Sequence, residues 1–247
     1  MANVSSKPGR KPTVKKAAAQ HGAGLQTVFQ QVRELIVHGR LSPGTWIVEA
    51  DLAQRLGMSR TPVRGALQWL QREGYVIEQK NVSKSRMIVA PLTKEDASEL
   101  YAIVGHLEGL AGRRTAGLPK YERTEIIRAL RKLNAGLKSI SRDHAGRAGD
   151  IFDLDMTFHS TVVKASAGPR LMALYNAVKP QTERYWRLYA SSIINDLHNS
   201  VVEHEEIIDA IQDGDVDRVE TALQLNWSNG ALRLSKVIEL FGERGTW

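Results

Sequence analysis

Over residues 92–240 the apolar residues recur every three or four positions, and that spacing permits little besides helices packed side by side. Leu100, Ile103, Val104, Leu107, Leu110 and Ala111 mark one such stripe and predict a helix from Lys94 to Ala116. Further helices are expected at about 122–141, 150–166, 169–190, 196–213 and 216–240, with breaks at "GLP", "DHAGRAGD", "AGP" and "GD". Six helices with short connections predict an antiparallel all-helical bundle, the larger part of a mainly α chain.

The front of the chain reads differently. Leu25, Val28, Phe29, Val32, Leu35 and Ile36 predict an amphipathic helix that stops near Gly39. A turn at Pro43–Gly44 leads to a short strand at 46–48, a helix around 51–56, a tight turn at Gly57 and a second helix from about Ser59 to Glu73. Ser59 or Thr61 suits its N-cap, and Pro62 is tolerated in the first turn, where its missing N–H costs nothing. "YVI" and "MIVA" then read as two strands around a polar tip at 79–86. Helix, helix–turn–helix and hairpin in that order outline a winged helix.

Its second short helix buries Val63, Leu67 and Leu70 and points Arg60 and Arg64 off the other face, four residues apart. In a helix-turn-helix that helix lies in the major groove, with its N-terminal residues at base edges and phosphates. Arginine can bond guanine O6 and N7 bidentately or clamp a phosphate. Ser59 and Thr61 sit where a helix N-terminus meets a phosphate.

Charge divides the chain at the same place. The net +7 comes from the front: residues 1–20 hold five Lys/Arg and no acid, residues 21–91 nine against five, and residues 92–247 twenty against twenty-two. A basic front joined to a slightly acidic back suggests a polyanion-binding module attached to something else. Residues 1–22, rich in Pro, Gly, Ser and Lys, are expected to form a disordered basic arm, and their "PGRKP" is similar to minor-groove-binding hooks. The units expected are thus this arm, a winged helix over 23–91, a helical domain over 92–240 and a tail over 241–247. The absence of cysteine excludes disulfides, thiolate metal sites and a cysteine nucleophile. No apolar run approaches the roughly 20 residues of a membrane span, and no signal-peptide core is present, so a soluble cytoplasmic protein without a membrane partner is expected.

"LSPGTWIVEADLAQRLGMSRTPVRGALQWLQREGYV" closely resembles the winged-helix domain of the GntR family of bacterial transcription regulators, through "PG", "E-x-D-L-A", "L-G-x-S-R-T-P-V-R", "A-L" and "E-G". The resemblance covers roughly residues 25–91. It implies operator contacts by Ser59, Arg60, Thr61 and Arg64, with Lys80 and Asn81 of the wing reaching the minor groove of double-stranded DNA. Two positions depart from the family: Gly65 stands where Glu is usual, and "KNVSKSR" lacks the usual tip glycine.

In the helical half a few polar residues fall on inward faces. Asp155 and His159 share a stripe with Phe152 and Val162, and His204 shares one with Val201, Ile208 and Ile211. Buried, they require partners: either hydrogen bonds within a core or a divalent cation held by nitrogen and oxygen. "D-x-x-F-H", "E-H-x-x-I-x-x-A-I-x-x-G-D" and the helix count resemble the FCD effector domain of FadR-type GntR regulators, six helices indicating the VanR-like subgroup. That resemblance implies a site for zinc, nickel or manganese made of one Asp and three His. Asp155, His159 and His204 match its first three positions, and Asn226 stands at the fourth. Two His and one carboxylate can still hold a cation, with water or an effector carboxylate completing the shell; alternatively Asn226 and the histidines bond an effector directly. Val104 occupies the place of an Arg often kept by the family, which leaves Arg184 and Arg187 as candidate effector-binding cations.

The expectation is a ligand-responsive DNA-binding regulator and not an enzyme. It would be a homodimer on a palindromic operator, with repression relieved by a small carboxylate or sugar acid. The alternatives are a DNA binder indifferent to small molecules and, behind it, a metal-dependent enzyme carrying a DNA-binding domain. Arg64→Ala is expected to weaken operator binding with fold and assembly intact; unchanged affinity in a titration of operator duplex would contradict this placement of the recognition helix.

Overall fold

The computed structural model describes residues 14–81, 84–143, 148–193 and 196–246. The elements run α1 (Val14–Val37), α2 (Glu49–Leu56), α3 (Arg60–Arg72), β1 (Val76–Asn81), β2 (Lys84–Val89), α4 (Lys94–Ala116), α5 (Lys120–Asp143), α6 (Ala148–Ser166), α7 (Pro169–Ile193), α8 (Leu197–Asp213) and α9 (Val216–Phe241). Helix α1 starts inside the segment expected as a disordered arm. "KKAAAQ" is a run of strong helix formers, so residues 14–22 extend the helix, while residues 1–13 of the arm lie outside the described residues.

The first module closes around Val28, Val32, Val63, Ala66, Leu67, Leu70, Tyr75 and Val89, with Phe29 edge-on to Trp69 at 5.8 Å. Gly57 ends α2 in the left-handed region at φ 64°, the sharp turn that lets α3 cross behind it. Gly65 has its own reason: a Cβ there would come within 2.6 Å of Leu25 Cδ1, so its absence admits α1 against α3. β1 and β2 pair antiparallel from Val76↔Val89 to Asn81↔Lys84, longer strands than the sequence predicts. The strand expected at 46–48 is reduced to one bridge, Trp46↔Ile88, flanked by Ile47 N–H to Met87 O (2.9 Å) and Val89 N–H to Thr45 O (2.9 Å).

Behind it, α4 lies along α9, flanked by α6 and α7; α5 packs on α6 and α8, and α8 on α9. Thr93 caps α4 by accepting the Asp96 N–H, and Asp215 caps α9 through the Arg218 N–H. Close approach of α4 to α9 depends on Gly105, where a Cβ would lie 3.0 Å from Trp227 Cβ.

The two modules meet at a polar junction. Gln181 Nε2 donates to Glu73 O (2.6 Å), and the buried Arg184 Nη2 donates to Ala90 O (2.5 Å). Tyr185 Oη accepts the Thr93 N–H (3.1 Å) and donates to Asp96 (2.6 Å). The segment after α9 joins in: Leu92 and Arg244 exchange backbone hydrogen bonds of 2.8 and 3.1 Å, and Tyr189 donates to Gly242 O (2.9 Å). Gly105→Leu drives a side chain into the α4–α9 seam and is expected to cost about 1–3 kcal/mol, read as a lower urea midpoint; an unshifted midpoint would show that the seam is loose.

Candidate functional site

Two places concentrate chemistry. The first is the outer face of α3, where Ser59, Arg60, Thr61, Arg64 and Gln68 are all exposed, while Val63, Ala66, Leu67 and Leu70 are buried beneath them. Ser59 takes the extended N-cap conformation without a side-chain cap bond, so its hydroxyl is available to a ligand. The two arginines differ. Arg60 has no hydrogen bond or ion pair among the described residues, whereas Arg64 is held by Glu49 through Nε (3.1 and 3.2 Å) and Nη2 (3.0 Å). Lys80 is exposed on β1, and Asn81 ends that strand opposite Lys84.

The second place is a cavity in the helical module. Asp155, His159 and His204 offer ligand atoms that all lie within 4.8 Å of one another. α6 brings Asp155 and His159 onto one face at i, i+4, and α8 brings His204 opposite. The rings of His159 and His204 meet edge to face at 5.2 Å, and His204 stacks flat on Phe158 at 3.8 Å.

Glu108 orders this group from behind. Fully buried on α4, it accepts from His159 Nδ1 (2.6 Å), Trp227 Nε1 (2.7 Å) and Tyr175 Oη (3.0 Å). With Nδ1–H donated to Glu108, His159 turns its Nε2 lone pair toward the group. Burial opposes a charge on His159, but the Glu108 carboxylate and its hydrogen bond outweigh that and raise the pKa. His204 goes the other way: burial, then the neighbouring His159 and Arg233 charges, hold it well below the ordinary histidine range. Among the described residues neither nitrogen of His204 has a hydrogen-bond partner, and Asp155 Oδ1 stands 3.6 Å from Nε2. Burial raises the Asp155 pKa.

A neutral, buried imidazole without a hydrogen bond among the described residues, beside a second imidazole and a carboxylate, is a donor set that fits a divalent cation. The histidines-only-in-a-core reading leaves His204 unsatisfied, which burial makes costly.

The cavity above this group encloses about 70 Å³, against the roughly 10–15 Å³ needed for one water. Aromatic walls from Tyr101, Phe152, Trp186 and Trp227 surround it, with Thr182, Ser200, Asn226 and Arg233 as further polar lining. Asn226, at the expected fourth ligand position, donates Nδ2 to Glu203 (2.8 Å).

Arg184 and Arg187, expected to bind an effector, do not line the cavity. Arg184 is spent on the Ala90 carbonyl at the junction, and Arg187 bonds Glu183 with its guanidinium 5.3 Å from the Phe152 ring. The cation that does line it is Arg233, seven residues after Asn226 on the same helix face and paired with Glu203 at 2.8 and 3.0 Å. Glu108 also escaped the sequence reading. Its signal was there, an acid on the Leu100–Val104–Ala111 stripe, the same anomaly that singled out Asp155.

Comparison with known proteins adds a second line. Residues 25–83 match the family described as "Bacterial regulatory proteins, gntR family", and residues 99–227 match the FCD domain. A protein named "Probable D-xylose utilization operon transcriptional repressor" from Paenarthrobacter nicotinovorans is 30% identical over 201 residues, 80% of this chain and 84% of that protein. The "Gluconate operon transcriptional repressor" of Bacillus subtilis is 26% identical over 220 residues, 87% of this chain and 86% of that one. In fold, E. coli McbR/YncC is similar with a TM-score of 0.63 at 20% identity, covering 86% of this chain and 97% of its own.

His204→Leu removes two unpartnered buried nitrogens and is expected to raise the stability of chelator-treated protein by about 1 kcal/mol. A lower melting temperature than wild type would show that the imidazole finds a partner within the protein.

Proposed function

The chain belongs to the GntR family of bacterial regulatory proteins and carries an FCD domain behind its winged helix, and from that membership we propose a homodimeric repressor that releases its operator when a small carboxylate or sugar acid enters the helical domain. It is a DNA-binding transcriptional regulator, not an enzyme. The observation that carries the effector reading is the roomy aromatic cavity floored by a neutral histidine that has no hydrogen bond among the described residues.

Asp155, His159 and His204 would hold the cation, zinc, nickel or manganese, with Glu108 keeping His159 in the ligating tautomer. Such an ion would supply a Lewis acid to which an effector carboxylate can ligate. Asn226 keeps its carbonyl oxygen as a further donor, and Thr182, Ser200 and Arg233 offer hydrogen bonds to hydroxyl or carboxylate groups of the ligand. A relative named for the gluconate operon favours a sugar acid among the carboxylates.

On the DNA side, Ser59, Arg60, Thr61 and Arg64 would meet the major groove and Lys80 and Asn81 the adjacent minor groove. Two copies would read a palindrome from one face of the duplex in the cytoplasm, half-sites about one helical turn apart. Helix α7 supports a coupling between the ends: Thr182 and Trp186 line the cavity, while Gln181 and Arg184 grip Glu73 and Ala90. Release requires that the ligand bind one arrangement of the junction better than the other.

Elemental analysis of untagged protein purified without chelator tests the cation, with His159→Ala beside it. About one transition metal per chain is expected in wild type and a large loss in the variant. In the same preparation gluconate or a related sugar acid is expected to weaken operator binding. Affinity that ignores every sugar acid, and chelation as well, would leave a DNA binder indifferent to small molecules.

A further inference from the structure

From the Glu49–Arg64 pair we infer that Glu49 is a specificity-determining positioning residue, which reserves the Arg64 guanidinium for a base edge and withholds it from phosphates; this rests on the reading that α3 enters the major groove. Glu49 opens α2, and Arg64 stands one turn into α3. The Glu49 carboxylate takes Nε and one hydrogen of Nη2, at 3.0–3.2 Å. Of the five N–H donors of the guanidinium, three remain, two on Nη1 and one on Nη2. One from each Nη lies on the outward edge, a second fork with the geometry of guanine O6 and N7.

The pair lies at the surface, with the Arg64 side chain 64% exposed and that of Glu49 33%, so water and salt screen it and its contribution to stability is modest. What the contact does is fix direction. An unrestrained arginine sweeps over several ångströms and closes on whichever phosphate oxygen is nearest. Clamped along Nε–Nη2, it presents one edge along one line, and the ordering entropy is already spent before DNA arrives. The carboxylate adds a second effect, since an acid facing a groove repels the phosphates on either side. Loose, sequence-blind binding is weakened, while a guanine that meets the fork suffers less. Arg60, with no acid partner among the described residues, is the natural phosphate contact of the two.

The test starts from an operator selected out of random-sequence duplexes by the wild-type protein. Dissociation constants are then measured for that operator, for every single base-pair change in it and for a scrambled duplex. The proteins are wild type, Glu49→Gln, Arg64→Ala and the double variant. Arg64→Ala is expected to abolish discrimination at one base pair in each half-site. Glu49→Gln, similar in shape and lying on the surface, is expected to lose about ten-fold in discrimination at that same pair, while binding the scrambled duplex more tightly. In the Arg64→Ala background the Glu49 change should leave discrimination untouched. Glu49→Gln variants that keep full discrimination at the Arg64-dependent pair, or that tighten every duplex by one common factor, would overturn the inference. Discrimination unchanged everywhere in Arg64→Ala would instead remove the recognition-helix reading, and the role of Glu49 with it.

Discussion

A carboxylate with no access to water sits at the centre of the helical domain, and the arrangement of four helices follows from it. Glu108 on α4 accepts from His159 on α6, Tyr175 on α7 and Trp227 on α9. A buried acid tolerates few placements of its neighbours, because each donor lost leaves charge uncompensated. The three donors therefore fix the distances between these helices more narrowly than apolar packing alone would. They also set the cavity: Trp227 becomes a wall of it, and His159 is turned so that its free nitrogen faces His204 and Asp155. Core and site share one set of hydrogen bonds.

Much of this was legible beforehand. Helix α4 falls on its expected bounds, and α5 to α9 on theirs to within a few residues at each end, because Gly, Pro and Asp mark the breaks and the apolar period is long; α1 departs, since it starts at Val14 inside the expected arm. The triad was legible for a related reason: Asp155, His159 and His204 are polar residues on apolar stripes. Glu108 satisfies the same criterion, but nothing in one sequence states that a lone acid on α4 will face a histidine fifty-one residues later. Arg184 illustrates the converse. It shares its helix with cavity residues, and only the position of Ala90, set by the wing's exit, decides that its guanidinium turns to the junction. Helix spacing assigns a residue to a face; which neighbour that face meets is a tertiary fact.

Gly65 makes the same point about local departures. Read against the family it is an anomaly, a small residue where an acid is usual, in a helix interior that penalises glycine by about 1 kcal/mol. Leu25 resolves it, since its methyl group fills the space a Cβ would need. The exposed face of α3 is thus supported from below by a contact with α1, and the recognition residues are carried on a helix braced on both its buried sides.

The last residues of the chain alter how the two modules can move. Residues 90–93 carry the covalent link between the winged helix and the helical domain. Arg244 doubles that connection by pairing with Leu92, and Gly245 lies against Pro43 and Gly44 at the base of the wing. This backbone pair stands beside the Gln181–Glu73 and Arg184–Ala90 hydrogen bonds, so the modules are tied at the junction from both α7 and the segment after α9. The segment that pairs with Leu92 is continuous with α9, whose Trp227 and Arg233 line the cavity, so one stretch of chain runs from the cavity wall to the base of the wing.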